Sequence, residues 1–589
     1  MSRSSWPIVD YHRSLLAKET GAVVKEPGGR LSVAMIYPNT YVVGLANLGL
    51  AVIYRLINQR PDALCERVFF PDRQSLPLYE KAGSPLLSLE SSRPLNDFDL
   101  VLATLSFEND APNLAAMLIR AGLGFSANQR RGPLVVAGGV APMLNPEPYA
   151  EMLDGFLLGE AEVVLDPFLD CLVSLAGRPR QERLLHLSKE VPGFYAPCFY
   201  RPQYQKNGLL SSFSPTQGLP ERIAAPKLGG AASGFAKSVF KAPGPEFGNM
   251  VLLEVGRGCG HGCRFCAAGH IFRPPRLGEG SEFIPAAQSA AAQGGRVGLV
   301  AAAVSDLPGV SDLAGAVVRA GGALSVSSLR ADRVSAELVA ALASSGHQTV
   351  ALAPEAGSQR LRRLINKRLT EDDLALAVER LIQGGIPNIR LYFMVGLPSE
   401  EEEDIGELIS LVRKVRQQVV SLSRPRRRLG RITLSLNAFV PKPWTPFQWE
   451  PMAPLEIISS RMKRINKELK PLANLKVVKE VPKYARLQAV LSRGDRRLAP
   501  LLLALAEGYP LEKAYKKTGI DPHFYAPRRR ERDELLPWSF VDHGISLEYL
   551  WDEAQRARQG RQSPPCRPMS CTRCGVCPPG PQKEMPDDA

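Results

Sequence analysis

Residues 254–276 read EVGRGCGHGCRFCAAGHIFRPPR, with Cys259, Cys263 and Cys266, three of the chain's ten cysteines, inside eight positions. The run MVLLEV that leads into the stretch reads as a short buried strand, which places the cysteines on the loop at its carboxyl end. From 248 to about 450 strand-like runs recur with helical patterns between them: MVLLEV, VGLVAAA, ALSVSSL, TVALAPEAG, IRLYFMVGLP and ITLSLNAF. Six such units predict a closed or partly closed parallel barrel of the (β/α) type, which carries its chemistry on the carboxyl-end loops.

Outward from the barrel the chain divides further, as its 589 residues require, because one hydrophobic core cannot serve that length. Between 30 and 175, LSVAMIYP, ERVFFP, DFDLVLATLS, LVVAGG and GFLLGEAE alternate with helical stretches and predict a Rossmann-like, doubly wound parallel sheet. The pairs Gly138-Gly139 and Gly159-Glu160 fall at its strand ends. The segment 176–247, rich in Pro, Gly and Ser with little helical periodicity, reads as a linker or ribbon. Residues 451–558 read as mainly helical and basic, and 559–589 as a Cys-rich tail. The fold class expected is therefore α/β with a helical C-terminal region.

No apolar run approaches the roughly 20 residues that a membrane helix needs, and the start MSRSSWPIVDYHRS has no apolar leader core. The expectation is a cytoplasmic protein without a membrane partner. A formal charge of +14 favours an anionic partner such as RNA, with the runs 424–431 (RPRRRLGR) and 528–532 (RRRER) as the candidate surface; the alternative is that these runs are solvated faces.

Cys65, Cys171 and Cys198 stand singly among apolar neighbours and read as small buried hydrophobes. The other seven form two tight sets, Cys259/Cys263/Cys266 and Cys566/Cys571/Cys574/Cys577, which in a cytoplasmic protein point to metal. Structural zinc takes four ligands, usually as two separated pairs. Within the first loop His261 is a poor fourth, lying between two cysteines on a very short turn. Three thiolates instead suit a cube-type iron-sulfur cluster with one iron left open for a substrate or cofactor. The tail pattern C-x4-C-x2-C-x2-C fits a second iron-sulfur cluster or an all-thiolate zinc site, the cluster being preferred for its ferredoxin-like core.

The C-x3-C-x2-C spacing, with the aromatic Phe265 before the last cysteine, resembles the signature of the radical S-adenosylmethionine (SAM) enzymes. That resemblance implies a [4Fe-4S] cluster whose unique iron chelates SAM, and reductive cleavage to a 5'-deoxyadenosyl radical that abstracts hydrogen from a substrate. It also implies a reductant such as flavodoxin or ferredoxin. The segments YPNTYVVGLANLGLAVIY, APEAGSQRLRRLINK, AFVPKPWTPFQW, SRGDRRL and CTRCGVC look like one largely uncharacterised bacterial group of that superfamily, with a cobalamin-type N-terminal domain and a C-terminal Cys cluster.

Under this reading Ser327, Ser328 and Arg330 offer hydroxyls and a guanidinium suited to the SAM carboxylate. Glu355 offers an acceptor for a diol or ammonium, and Gly396 room for adenine. Members usually carry Gly-Gly-Glu after the second strand to hold the SAM amino group; here the position reads AAAVSD, leaving Ser305 and Asp306 as substitutes. The N-terminal domain resembles the cobalamin-binding one, but no Asp-x-His-x-x-Gly occurs between 30 and 175. A fold kept without cobalamin is the preferred expectation, and bound cobalamin the alternative. Three functions follow: radical modification of RNA by methylation, methylthiolation or related C–H chemistry; a radical enzyme on a peptide or small molecule, including a cobalamin-dependent methyltransferase; or a non-catalytic metal-containing binding protein. The oligomeric state is left open.

Overall fold

A computed structural model describes residues 5–229, 235–244, 249–292, 295–426, 428–568 and 571–577. Strands β1 (Leu31–Tyr37), β2 (Ala63–Phe69), β3 (Leu100–Thr104), β4 (Leu134–Gly138) and β5 (Gly155–Leu157) pair in parallel in the order β2-β1-β3-β4-β5. They are buried on both faces, as near-continuous apolar runs require. The intervening helical stretch is two helices, Tyr41–Leu45 and Leu48–Gln59, because the Asn47 side chain accepts from Leu50 N at 2.9 Å and starts the second.

The stretch expected to be ribbon holds more order than its composition suggests. A helix occupies Arg180–Glu190, and β6 (Phe194–Tyr195) adds to the sheet antiparallel to β5. Only then comes a hairpin of β7 (Tyr200–Tyr204) and β8 (Leu210–Pro215), followed by β9 (Ile223–Ala224). The helix was hidden because only Leu184 and Leu187 of its face are buried, too few to set a periodicity.

The barrel begins with β10 (Met250–Glu254). Short strands β11 (Gly256–Arg257) and β12 (Arg276–Leu277) then pair antiparallel, clasping the cysteine loop between them. Next come β13 (Arg296–Val300), β14 (Ala323–Val326), β15 (Thr349–Glu355), β16 (Asn388–Val395) and β17 (Ile432–Ala438). All six expected barrel strands are present and parallel, as ladders β10-β13-β14 and β15-β16-β17 joined by a bridge from Leu329 to Leu352. A seventh strand, β18 (Leu475–Lys479), extends the second ladder. The remainder is mainly helical, with β19 (Val541–Asp542) pairing β9.

The carboxyl end of the first sheet faces the barrel and the C-terminal helices. Glu108, after β3, is buried against Lys442 (2.5 Å), Gln488 (3.0 Å) and Ser492 (3.2 Å). Asn145 donates to the carbonyls of Ser492 and Gly494 at 3.1 and 2.8 Å, and Glu147 is forked by Arg496 at 2.9 and 3.0 Å. Glu160, after β5, takes Arg257 and Arg276 from the two strands of the clasp at 2.8 and 2.5 Å. The first sheet thus fixes the base of the cysteine loop. Glu108, Asn145, Glu147 and Glu160 are each engaged by contacts within the chain.

Candidate functional site

The cysteine loop leaves β11 through Gly258, whose positive φ (79°) and close approach to the Phe272 carbonyl, 2.8 Å from where a Cβ would lie, admit only glycine. Cys263 is buried; Cys259 and Cys266 are partly covered. Asn366 holds the turn by donating to the carbonyls of His261 and Gly262 at 3.3 and 3.2 Å. Burial pushes the Cys266 thiol up to about 12, with Cys263 adding to it, so ionising these thiols calls for a cation to bind them. Among the described residues no three His, Cys, Asp or Glu side chains close round a point as one bound ion would require. A cube-type cluster gives each thiolate its own iron and so takes a wider set of thiolates than one ion does.

His261 is otherwise engaged: its Nε2 meets Asp306 Oδ2 at 2.5 Å. The other oxygen of Asp306 is buried without a hydrogen-bond partner, an acceptor left over beside the cysteine loop. Ser305 Oγ accepts from Arg330 N at 3.2 Å and so ties the second strand-end to the third.

A cavity of about 130 Å³ lies at the barrel mouth, lined by Ser328, Arg330, Asp332, Glu355, Lys367 and neighbouring apolar groups. Arg330 forks Asp332 at 3.0 and 2.9 Å. Lys367 Nζ reaches Glu355 at 3.3 Å. Burial alone would lower the Lys367 ammonium, but Glu355 and then the nearby Cys263 outweigh it and hold it protonated, above the ordinary lysine value. Glu355 itself sits at φ 66°, a strained backbone for a residue with a side chain. Phe265 turns away from this cavity onto a small apolar cluster that includes Leu361, Ile365, Phe439 and Ala557.

Two expected contacts fall elsewhere. Ser327 is exposed and does not line the cavity; its neighbour Ser328 does, since successive side chains at a strand end point to opposite sides. Gly396 has the positive φ (85°) that favours glycine, but its open side is filled by Ala453 and Ile458, 3.1 Å from a Cβ position, and its N–H is taken by Glu400 at 2.7 Å. The glycine serves packing within the chain. Glu400 is 2% exposed and also meets Arg461 at 2.9 Å; burial pushes its carboxyl to about 7. A raised folded value stabilises fully below the ordinary 4.5 and is lost as pH rises through 7, so stability should fall across that window, by at most about 3 kcal/mol. Glu400→Gln is expected to flatten the profile in pH-dependent urea unfolding.

The tail set stands against the same loop. Cys574 and Cys577 are buried, and burial pushes the Cys566 thiol up to about 11, with Cys574, Cys571 and Cys577 close enough to add to it. Ser546 N donates to the Cys574 carbonyl at 2.9 Å, and the Arg273 guanidinium, bonded to Tyr549 Oη at 2.9 Å, lies near Cys574. Four thiols are a donor set that zinc and an iron-sulfur cluster both take, but among the described residues no three of them close round one point.

The basic run 528–532 is only in part a free surface: Arg528 and Arg530 converge on Glu534 at 2.7 Å, Arg529 meets Glu450 at 2.8 Å while staying half exposed, and Arg532 is exposed. Of 424–431, Arg428 donates to Gln348 at 2.7 Å, while Arg427 lies outside the described residues. Sequence reasoning missed Lys367, Asp332 and Asn366. Lys367 and Asn366 close the quoted stretch APEAGSQRLRRLINK, but nothing local shows that the chain folds them back to the cysteine loop.

Two family models match the chain: one described as radical SAM proteins, N-terminal, over 49–197, and the radical SAM superfamily over 253–412. An uncharacterized protein of Methanocaldococcus jannaschii is 29% identical over 80% of this chain and 90% of its own length. A tRNA-2-methylthio-N(6)-dimethylallyladenosine synthase of Thermotoga petrophila is 29% identical over 21% of this chain and 27% of its own. Among solved structures, the radical S-adenosylmethionine methyltransferase TsrM of Kitasatospora setae, with cobalamin and a [4Fe-4S] cluster bound, is similar over 83% of this chain and 99% of that one, at 13% identity and a TM-score of 0.48. No helix among the described residues is long and apolar enough to cross a membrane. The two models cover the first sheet from β2 onward and most of the barrel, with the Cys259/Cys263/Cys266 loop inside the second match, and the chain belongs to the radical SAM superfamily of enzymes.

Proposed function

We propose that this enzyme generates a SAM-derived radical at the Cys259/Cys263/Cys266 loop and uses it on a C–H bond of RNA. The observation that carries the first half is the cavity beside that loop, which gathers Ser328, Arg330, Glu355 and Lys367. When bound, a [4Fe-4S] cluster supplies the electron that cleaves SAM to a 5'-deoxyadenosyl radical. The leftover acceptor of Asp306 suits the SAM ammonium, Arg330 and Lys367 suit its carboxylate, and Glu355 suits the ribose diol. The strained backbone at Glu355 aims that carboxylate into the cavity.

For RNA the support is charge. The net charge is +14, Arg529 and Arg532 stay exposed within 528–532, and Lys476, Lys479 and Lys483 are exposed on β18 and the helix after it. Lys483 lies over the exposed ring of Tyr484, which gives a base a face to stack on. Because β18 is parallel to β17, its Lys479 end lies on the barrel face that carries the cysteine loop. The tRNA-modifying relative points the same way. Bulk tRNA is expected to bind with an affinity that falls steeply with salt, and charge reversal at Lys476, Lys479 and Lys483 together should cost about tenfold or more and flatten the slope. Binding unchanged across the salt range, or absent, would remove RNA as the substrate and leave a peptide or small molecule.

A further inference from the structure

Each cysteine set has an arginine inside it: Arg264 between Cys263 and Cys266, and Arg573 between Cys571 and Cys574. Both guanidiniums end on one carboxylate, Glu553, in the helix Leu547–Arg558. Its side chain is 3% exposed. Arg264 donates to Oε2 from Nε and Nη2 at 3.2 and 3.1 Å, and Arg573 Nη2 donates to Oε1 at 2.7 Å. Ser563 Oγ adds a donor to Oε2 at 2.7 Å. A second tie runs beside it: Cys566 N donates to the Gly260 carbonyl at 2.6 Å, and Ser563 N to Asn366 Oδ1 at 2.9 Å. Asn366 is the residue that holds the His261–Gly262 turn. The two loops are 300 residues apart in sequence yet share one buried acceptor and a direct main-chain bond.

We infer that Glu553 is a positioning residue that makes the two cysteine loops one unit, so that metal held by the tail set steadies the SAM-binding loop. One buried carboxylate takes a guanidinium from each loop, one on each oxygen, so a shift of either loop breaks a charge-assisted hydrogen bond to Glu553. The four tail thiols lie near one another, and metal bound by them would fix the tail in this register. Arg264, fully buried, and Arg573, whose side chain is 40% exposed, carry the register from one set to the other through Glu553. The inference rests on the radical SAM reading of the first loop.

The test uses the full chain, reconstituted with iron and sulfide without oxygen. The readout is the change that SAM causes in the electron paramagnetic resonance spectrum of the reduced protein, which reports only a cluster with an open iron, followed during a chelator challenge. Cys571→Ser and Glu553→Gln leave Cys259, Cys263 and Cys266 untouched. Each is expected to speed loss of the SAM-responsive signal about tenfold, as loss of an outer positioning partner does at metal sites. The double variant should decay no faster than Glu553→Gln alone, because the coupling runs through that carboxylate. A wild-type rate of loss in Cys571→Ser, with metal analysis showing its tail site empty, would overturn the inference even if Glu553→Gln failed to fold. Wild-type protein with no SAM-responsive signal would overturn the radical SAM reading, and this inference with it, before any variant is made.

Discussion

Replacing Cys259, Cys263 or Cys266 by alanine is expected to reduce SAM cleavage to background. A cube-type cluster held by two protein thiolates loses an iron site, and the open iron that distinguishes this loop goes with it. The tail set should keep its metal in all three variants, since none of its four thiols is touched, although its environment will change where Cys566 meets Gly260. Counting metal per chain beside 5'-deoxyadenosine formation separates the two sites. Full cleavage activity in all three variants would end the catalytic assignment of the loop. The tail cysteines make the control: loss of any one should remove tail metal while SAM can still be cleaved, more weakly as the first cluster loosens.

Arg264→Ala is expected to give the largest loss of stability of any single change at the site, about 3–5 kcal/mol. Arg264 is fully buried, and besides Glu553 it donates to the carbonyls of Leu364 and Arg561 at 2.8 and 2.7 Å. Removal leaves a buried carboxylate short of one partner and two carbonyls without donors, in a place where water cannot reach. Burial lowers the Arg264 guanidinium and Glu553 opposes that, so the pair is held by mutual need more than by surplus attraction. Urea unfolding should show the midpoint falling with little change in slope, and Arg264→Lys should recover only part of it, because one ammonium cannot serve the carbonyls of Leu364 and Arg561 and the Glu553 carboxylate together. Unfolding at the wild-type midpoint would mean that the C-terminal segment is not held by this contact.

Much of the fold was legible because its strands are short apolar runs that a parallel sheet buries on both faces. LSVAMIY, LVLAT and LVVAG could only be interior strands, and the barrel runs between helices likewise. β18 escaped because it reads LKVVK, an edge strand whose lysines face water and whose valines are only partly covered. The cysteine sets were legible because ligand spacing is local. Their meeting was not: Arg264 and Glu553 are 289 residues apart, and a buried ion pair leaves no periodic trace. Ser327 and Gly396 were misplaced for a related reason, since which side a strand-end residue faces depends on the exact end of pairing, and the space beside a glycine depends on what packs there. The basic run 528–532 is a surface only in part: its neighbour Glu534 holds Arg528 and Arg530 inward and Glu450, from elsewhere in the chain, meets Arg529, while Arg529 and Arg532 stay exposed.

The measurement that tests the central claim most directly takes oxygen-free, reduced protein with SAM and quantifies 5'-deoxyadenosine, S-adenosylhomocysteine and bound cobalamin in one sample. Deoxyadenosine without cobalamin is the result expected from the cysteine loop and the cavity beside it. S-adenosylhomocysteine formed by cobalamin-loaded protein would make it a methyltransferase of a different kind. Protein with a full cluster at the Cys259 loop that yields no deoxyadenosine, alone or with bulk RNA, would contradict the account.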